Sequence, residues 1–127
     1  MSKTFRKPTE SELEILQILW KESEASVRHV NQILSQRRDV GYTTTLKLMQ
    51  IMLEKGLVKR NTESRSHIYS ASVPENKVKE QMLNRFLDQT FQGSASALVM
   101  QVLGNHTASA EELEEIKALI QKLENKK

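Results

Sequence analysis

Residues 41–57, GYTTTLKLMQIMLEKGL, restrict what this chain can fold into more than any other stretch. Gly41 opens the segment as a turn residue, and Gly56 closes it with Lys55 in the last turn, as a helix end requires. Between them Leu48, Met49, Met52 and Leu53 recur at helical spacing, so the segment is expected to form a helix of about three turns. The apolar residues gather in the middle and at the tail. The head carries small hydroxyls, Thr43, Thr44 and Thr45, and one cation, Lys47. Such a helix buries its tail and leaves its head able to enter a groove. The plainer reading is an ordinary amphipathic helix in a soluble domain, and the helix alone does not choose between them.

Upstream, Thr9 and Glu12 form a Thr-x-x-Glu capping box directly after Pro8. Leu13, Leu16, Leu19 and Trp20 then make an apolar stripe, widened by Ile15 and Ile18, which predicts a first helix over about residues 11–21. Trp20 is expected in the core rather than stacked on a base. SESEAS breaks the pattern, and Ser26 can cap a second helix over about residues 27–36, with Val30, Ile33 and Leu34 inward. The polar link of residues 36–39 leads to Gly41, so the second and third helices are joined by a short turn, as in a helix-turn-helix. After Gly56 the period becomes alternating. Residues 57–62 and 67–71 read as strands on either side of a polar tip, residues 63–66. Residues 1–73 are therefore expected to form a winged helix-turn-helix, three helices followed by a β-hairpin.

Pro74 suits the first position of a fourth helix. Val78, Met82, Phe86 and Phe91 run along one face of it, with Leu83 and Leu87 alongside. After Gln92-Gly93-Ser94, residues 96–103 read as a short apolar helix containing Leu98 and Val102, stopped by Gly104-Asn105. Ser109 and Glu112 make a second capping box, and Leu113, Ile116, Ile120 and Leu123 follow as a short a/d seam. Residues 74–127 hold too many apolar side chains for three solvated helices and are too few to build a core of their own. They are expected to form a helical dimerisation domain in a mainly α protein, with these side chains meeting a second copy. The alternative is a tail folded back on the winged helix of its own chain.

With 127 residues the chain allows one domain, or a small domain with an appendage. No apolar run is long enough to cross a bilayer, so no membrane insertion is expected. The opening MSKTFRKPTESELE has basic residues with no apolar run behind them, so no signal peptide is expected and a cytoplasmic location is. The absence of cysteine excludes disulfides, thiolate metal sites and cysteine catalysis. His29, His67 and His106 fall in separate elements with no ligand spacing, so no metal site is expected. Glu111, Glu112, Glu114 and Glu115 occupy the first turns of a helix, where its dipole favours negative charge, and read as a solvated face. With no glycine-rich phosphate loop and no nucleophile elbow, neither an enzyme nor a cofactor is expected.

Charge is uneven. Residues 1–73 carry a net +4 and residues 74–127 a net −1, which places the excess beside the third helix and the hairpin. A basic first part suits a polyanion. Thr43 and Thr44 can bond phosphate or base edges, and a threonine methyl can meet a thymine methyl. The helix N-terminus favours phosphate, and Lys47, one turn in, reaches either target. Leu46 offers an apolar contact. Tyr42 either packs in the core, the preferred reading, or bonds the DNA backbone. Arg65 at the hairpin tip, with Arg60 and Lys59 on its strand, would grip phosphate without reading sequence.

These residues also carry a likeness. LEILQILW in the first helix, GYTTTLKLMQIMLEKGLVKR, and RSHIYSASV in the hairpin together resemble the penicillinase-repressor (BlaI/MecI) family of bacterial winged-helix repressors, over nearly the whole chain. The resemblance implies a homodimer that binds an inverted-repeat double-stranded DNA operator and blocks transcription, with antibiotic-resistance genes of the β-lactamase type as targets. It implies that the third helix reads the major groove and that the C-terminal helices interlock. In antibiotic-responsive members a membrane-bound sensor triggers cleavage of an Asn-Phe bond in a segment matching residues 97–104. The matching pair here is Gln101-Val102, a departure that leaves proteolytic induction open. The copper-responsive branch uses C-terminal cysteines, which this chain lacks. A reading from another class is a winged-helix module that binds proteins and no DNA; its wing would more often be acidic or apolar.

Overall fold

The computed structural model describes residues 7–63, 65–105 and 107–126; Ser64 at the expected hairpin tip and His106 lie outside them. Helix α1 (Glu10–Glu22) starts on a complete capping box. The Thr9 hydroxyl accepts from the Glu12 amide at 3.2 Å, and the Glu12 carboxylate accepts from the Thr9 amide at 2.9 Å. Strand β1 (Ala25–Ser26) leads straight into α2 (Val27–Ser35), where the Ser26 hydroxyl caps the helix by accepting from the His29 amide at 3.1 Å. Helix α3 (Tyr42–Glu54) follows. Gly56 then takes φ +81°, a left-handed conformation that a side chain would strain, and turns the chain into the hairpin.

The hairpin comprises β2 (Val58–Asn61) and β3 (Ile68–Ala71), antiparallel, with Val58 opposite Ala71 and Arg60 opposite Tyr69. The sheet has a third strand that the sequence reading lacked. Ala25 and Ser26 of β1 pair with Tyr69 and Ile68, giving the order β1-β3-β2. Two residues carry no alternation to read, and their pairing depends on a strand far along the chain.

Helices α4 (Glu75–Phe91), α5 (Ala95–Asn105) and α6 (Ala110–Asn125) complete the described chain. Pro74 precedes α4 rather than occupying its first turn, and its carbonyl accepts from the Val78 amide. Helix α5 runs through Gly104 instead of stopping before it. Ser109 caps α6 by accepting from the Glu112 amide at 3.0 Å.

Two compact units divide the chain, Met1–Met82 and Leu83–Lys127, so the division falls inside α4. The first unit has a continuous core. Ile15, Leu16 and Leu19 of α1, Val30 and Leu34 of α2, Met49 and Met52 of α3, and Leu57, Val58 and Tyr69 of the hairpin are all buried in it. Trp20 is only half-buried at its edge, and its indole N–H donates to the Val73 carbonyl at 3.0 Å, fastening the exit of the hairpin to α1. Val78 is 1% exposed in this same core and Met82 packs against it. That corrects the expectation that Val78 faces a second copy: the first turn of α4 already spends its apolar face on its own chain, with half-buried Met82 at the edge of the core.

The second unit differs. No described residue of α5 or α6 is buried, and Leu83, Phe86, Val99, Met100, Val102, Leu119, Ile120 and Leu123 are all exposed. Phe86 and Phe91 meet edge to face with ring centroids 5.8 Å apart. Among the described residues no helix is long and apolar enough to cross a membrane.

Candidate nucleic-acid interface

Helix α3 is held at both ends by bonds between residues far apart in sequence. At its start, the Asn31 side chain on α2 donates to the Val40 carbonyl at 3.0 Å and to the Thr45 hydroxyl at 2.9 Å. Thr45 is fully buried, and its hydroxyl reaches back to the Gly41 carbonyl at 3.4 Å. Ser35 also donates to the Val40 carbonyl, at 3.2 Å. The turn between α2 and α3 is thereby fixed. Of the three threonines, Thr45 holds this joint while Thr43 and Thr44 point to solvent.

At the other end, Lys55 Nζ donates to both oxygens of Glu12, at 2.7 and 3.0 Å. Glu12 is 2% exposed, so this pair pins the C-terminus of α3 to the first turn of α1 inside the unit. Burial by itself pushes the Glu12 carboxyl up. The Lys55 hydrogen bonds, the Thr9 amide and the Lys55 charge together outweigh it and hold the carboxyl below its ordinary value.

What these anchors present is a cleft between α3 and the wing. It is lined by Arg28 at the start of α2, by Tyr42, Leu46 and Gln50 along α3, and by Arg60, Arg65, Ser66 and His67 of the hairpin. The sheet register explains why Arg60 and Lys59 part company. Arg60 lies opposite Tyr69, on the face shared with Val58 and Ala71, where the core runs out and the cleft begins. Lys59 lies opposite Ser70, on the other face, and takes no part in the cleft. Arg28, Arg60 and Arg65 have no ion-pair partner among the described residues, so their charges remain available to a ligand. Arg37 and Arg38 in the α2–α3 link are spent differently. Both pair with Glu14 on α1, and although partial burial raises that carboxyl, the bonds from Arg38 and Arg37 keep it below its ordinary value.

Thr43, Thr44 and Lys47 sit on the exposed side of α3, with no side-chain partner among the described residues. Tyr42 is 48% exposed and lines the cleft, which corrects the preference for core packing. It stands at the first position of the helix, two turns before Met49 and on the same side, where the core has already run out and the cleft begins. Leu46 is half-buried, one edge on the core and one in the cleft. Sequence reading missed Arg28, Gln50 and His67. Gln50 was within reach, because it continues the spacing of Thr43 and Lys47; Arg28 and His67 come to the cleft only through the fold. His29 is turned elsewhere, with Nε2 3.0 Å from Glu22 Oε1, and no cluster of metal-binding side chains forms among the described residues.

An exposed helix face bearing hydroxyls and a lysine lies beside a cleft edged by three arginines with no ion-pair partner among the described residues. It has the chemistry to hold phosphates and meet base edges. Residues 8–122 match the family described as penicillinase repressor. The chain is 24% identical over 119 residues to the penicillinase repressor of Bacillus licheniformis, covering 94% of this chain and 93% of that one. It is 23% identical over 112 residues to the methicillin resistance regulatory protein MecI of Mammaliicoccus sciuri, covering 88% and 91%. In fold it is similar to the solution structure of the DNA-binding domain of the repressor BlaI, at a TM-score of 0.50 and 23% identity, over 57% of this chain and 90% of that one.

Proposed function

The chain belongs to the penicillinase repressor family, and from that premise we propose how it acts. It is a DNA-binding transcriptional repressor and not an enzyme. In the proposed mode, α3 enters the major groove with Thr43, Thr44 and Lys47 toward base edges and phosphate. Tyr42 and Leu46 border the groove on the wing side, while Arg60 and Arg65 hold the adjacent backbone. The observation that carries this reading is the cleft between α3 and the wing, whose arginines have no ion-pair partner among the described residues. A module built to bind proteins would have little use for so basic a lining.

The repressor works as a homodimer through residues 83–127, on an operator whose inverted repeat mirrors the two-fold axis. Phe86, Phe91, Leu98, Val102, Leu113, Ile116, Ile120 and Leu123 are the proposed contact residues. Fully burying such a side chain contributes about 1.5–3 kcal/mol each before entropy is counted. A helical unit with no buried residue of its own in α5 or α6 supports a second copy as the source of its core. The regulated genes are of the antibiotic-resistance type named in its relatives. For release, the Gln101-Val102 bond in α5 is the candidate cleavage point of a membrane sensor-protease pathway, its residues departing from the Asn-Phe pair that the family resemblance implies.

Sedimentation of the full chain, with and without a duplex selected from a random pool, tests the scheme. We expect a dimer at micromolar concentration and one dimer per selected duplex. A monomer at that concentration, or equal affinity for selected and scrambled duplexes at physiological salt, would overturn it.

A further inference from the structure

Thr45, Met49 and Met52 mark the buried side of α3. At about 100° per residue, the opposite side is centred on Thr43, Lys47, Gln50 and Glu54, and all four are exposed. Gln50 lies roughly 10 Å further along the axis than Thr43, a distance of about three base-pair steps. It alone of these four also lines the cleft with Arg28, Arg60 and Arg65, where cations can hold the phosphates on either side of a base. Its amide has no hydrogen-bond partner among the described residues. Glu54, one turn beyond on the same side, would repel a phosphate, so the usable face ends at Gln50. An uncharged amide adds no charge to the attraction for phosphate. What it offers is a donor and an acceptor side by side, the pattern that matches N6 and N7 of adenine in the major groove.

We infer that Gln50 is a specificity-determining residue that reads one adenine in each half-site, an assignment that rests on the DNA-binding mode proposed above. Its side-chain oxygen accepts from adenine N6 and its NH₂ donates to N7, while Lys47 lies about one step and Thr43 about three steps along the groove. The test selects bound duplexes from a random library with the full-length protein, as wild type, Gln50→Ala and Gln50→Lys. Wild type should enrich a motif with adenine at one position per half-site. Gln50→Ala should keep the rest of the motif and lose about ten-fold in preference at that position. Its affinity for non-specific duplex and its salt dependence should not change, since no charge is removed, and that measurement also confirms that the variant is folded. Gln50→Lys should move the preference toward guanine, whose O6 and N7 are both acceptors. Identical motifs from all three proteins would overturn the assignment and leave the repressor reading standing. A wild-type chain that enriches no motif would overturn both.

Discussion

Replacing Lys55 by Met should unsettle the first unit more than any change on its surface. The Glu12 carboxylate receives two hydrogen bonds from Lys55 Nζ, at 2.7 and 3.0 Å, and one from the Thr9 amide, at 2.9 Å. Its side chain is 3% exposed, so water cannot replace the two that Lys55→Met removes. Breaking a buried pair from one side costs about 3–5 kcal/mol. The lower end applies here, because the Thr9 amide remains and the lysine is itself 17% exposed. At about 4–8 °C per kcal/mol for a unit of this size, a loss of ~3 kcal/mol lowers the melting temperature by roughly 12–24 °C. Trp20, the sole tryptophan, packs on the first unit's core, so its fluorescence follows that unit. The pH dependence should change sign. In the wild type the carboxyl is held below its ordinary value, so its contribution is complete above the ordinary carboxylate range and is lost as pH falls through the lowered value. In Lys55→Met the Lys55 bonds and charge are gone, the Thr9 bonds alone still oppose burial, and burial, the largest single influence, raises the carboxyl. Stability should then increase as pH falls from 7 toward 5, as the buried group takes up a proton. Glu12→Gln combined with Lys55→Met should recover most of the loss, since it removes the stranded charge. A Lys55→Met protein that melts within about 2 °C of wild type and weakens in acid as wild type does would refute the reasoning.

Other changes separate the remaining roles. Asn31→Ala strips the Val40 carbonyl and the buried Thr45 hydroxyl of a donor, which costs about 1–3 kcal/mol of stability; binding titrations should show a larger loss for the selected duplex than for non-specific DNA, and equal losses would mean that this joint does not set the pose of α3. Arg65→Ala should weaken binding to every sequence and lower the slope of log affinity against log salt by about one, whereas Thr43→Ala should relax one base preference with the slope unchanged. Helix α5, with no buried residue of its own, should exchange its amides faster than α1 when hydrogen exchange is followed on the free protein, and equal protection would place it in the stable core. Complete cleavage at a protease site inserted after Gln101 should reduce affinity for the two-site operator while leaving single half-site binding intact.

Much of the fold is written in neighbouring residues. Thr9 with Glu12, Ser26 with His29 and Ser109 with Glu112 are bonds across three positions, and the helices begin where those residues stand. The apolar periods of α1 and α3 and the shift to alternation after Gly56 are equally local, and they were enough to place three helices and a wing in order. The head of α3, small and polar above an apolar tail, was legible for the same reason. Contacts between distant residues were not. Lys55 read as a last-turn charge until the fold set it on Glu12, and Thr45 read as one of three alike until Asn31 reached it. Val78 and Met82 look no different in sequence from Phe86 and Phe91, yet Val78 fills the core of the first unit and Met82 packs against it while Phe86 stays half-exposed. The strand of Ala25 and Ser26 exists only because β3 is there to pair with it, and Arg28, Gln50 and His67 share a cleft only because the wing folds back beside α3. Caps and periods depend on residues within a turn or two, which the chain always brings together. Which face an element turns inward, and which distant charge it meets, follow from how the whole unit excludes water.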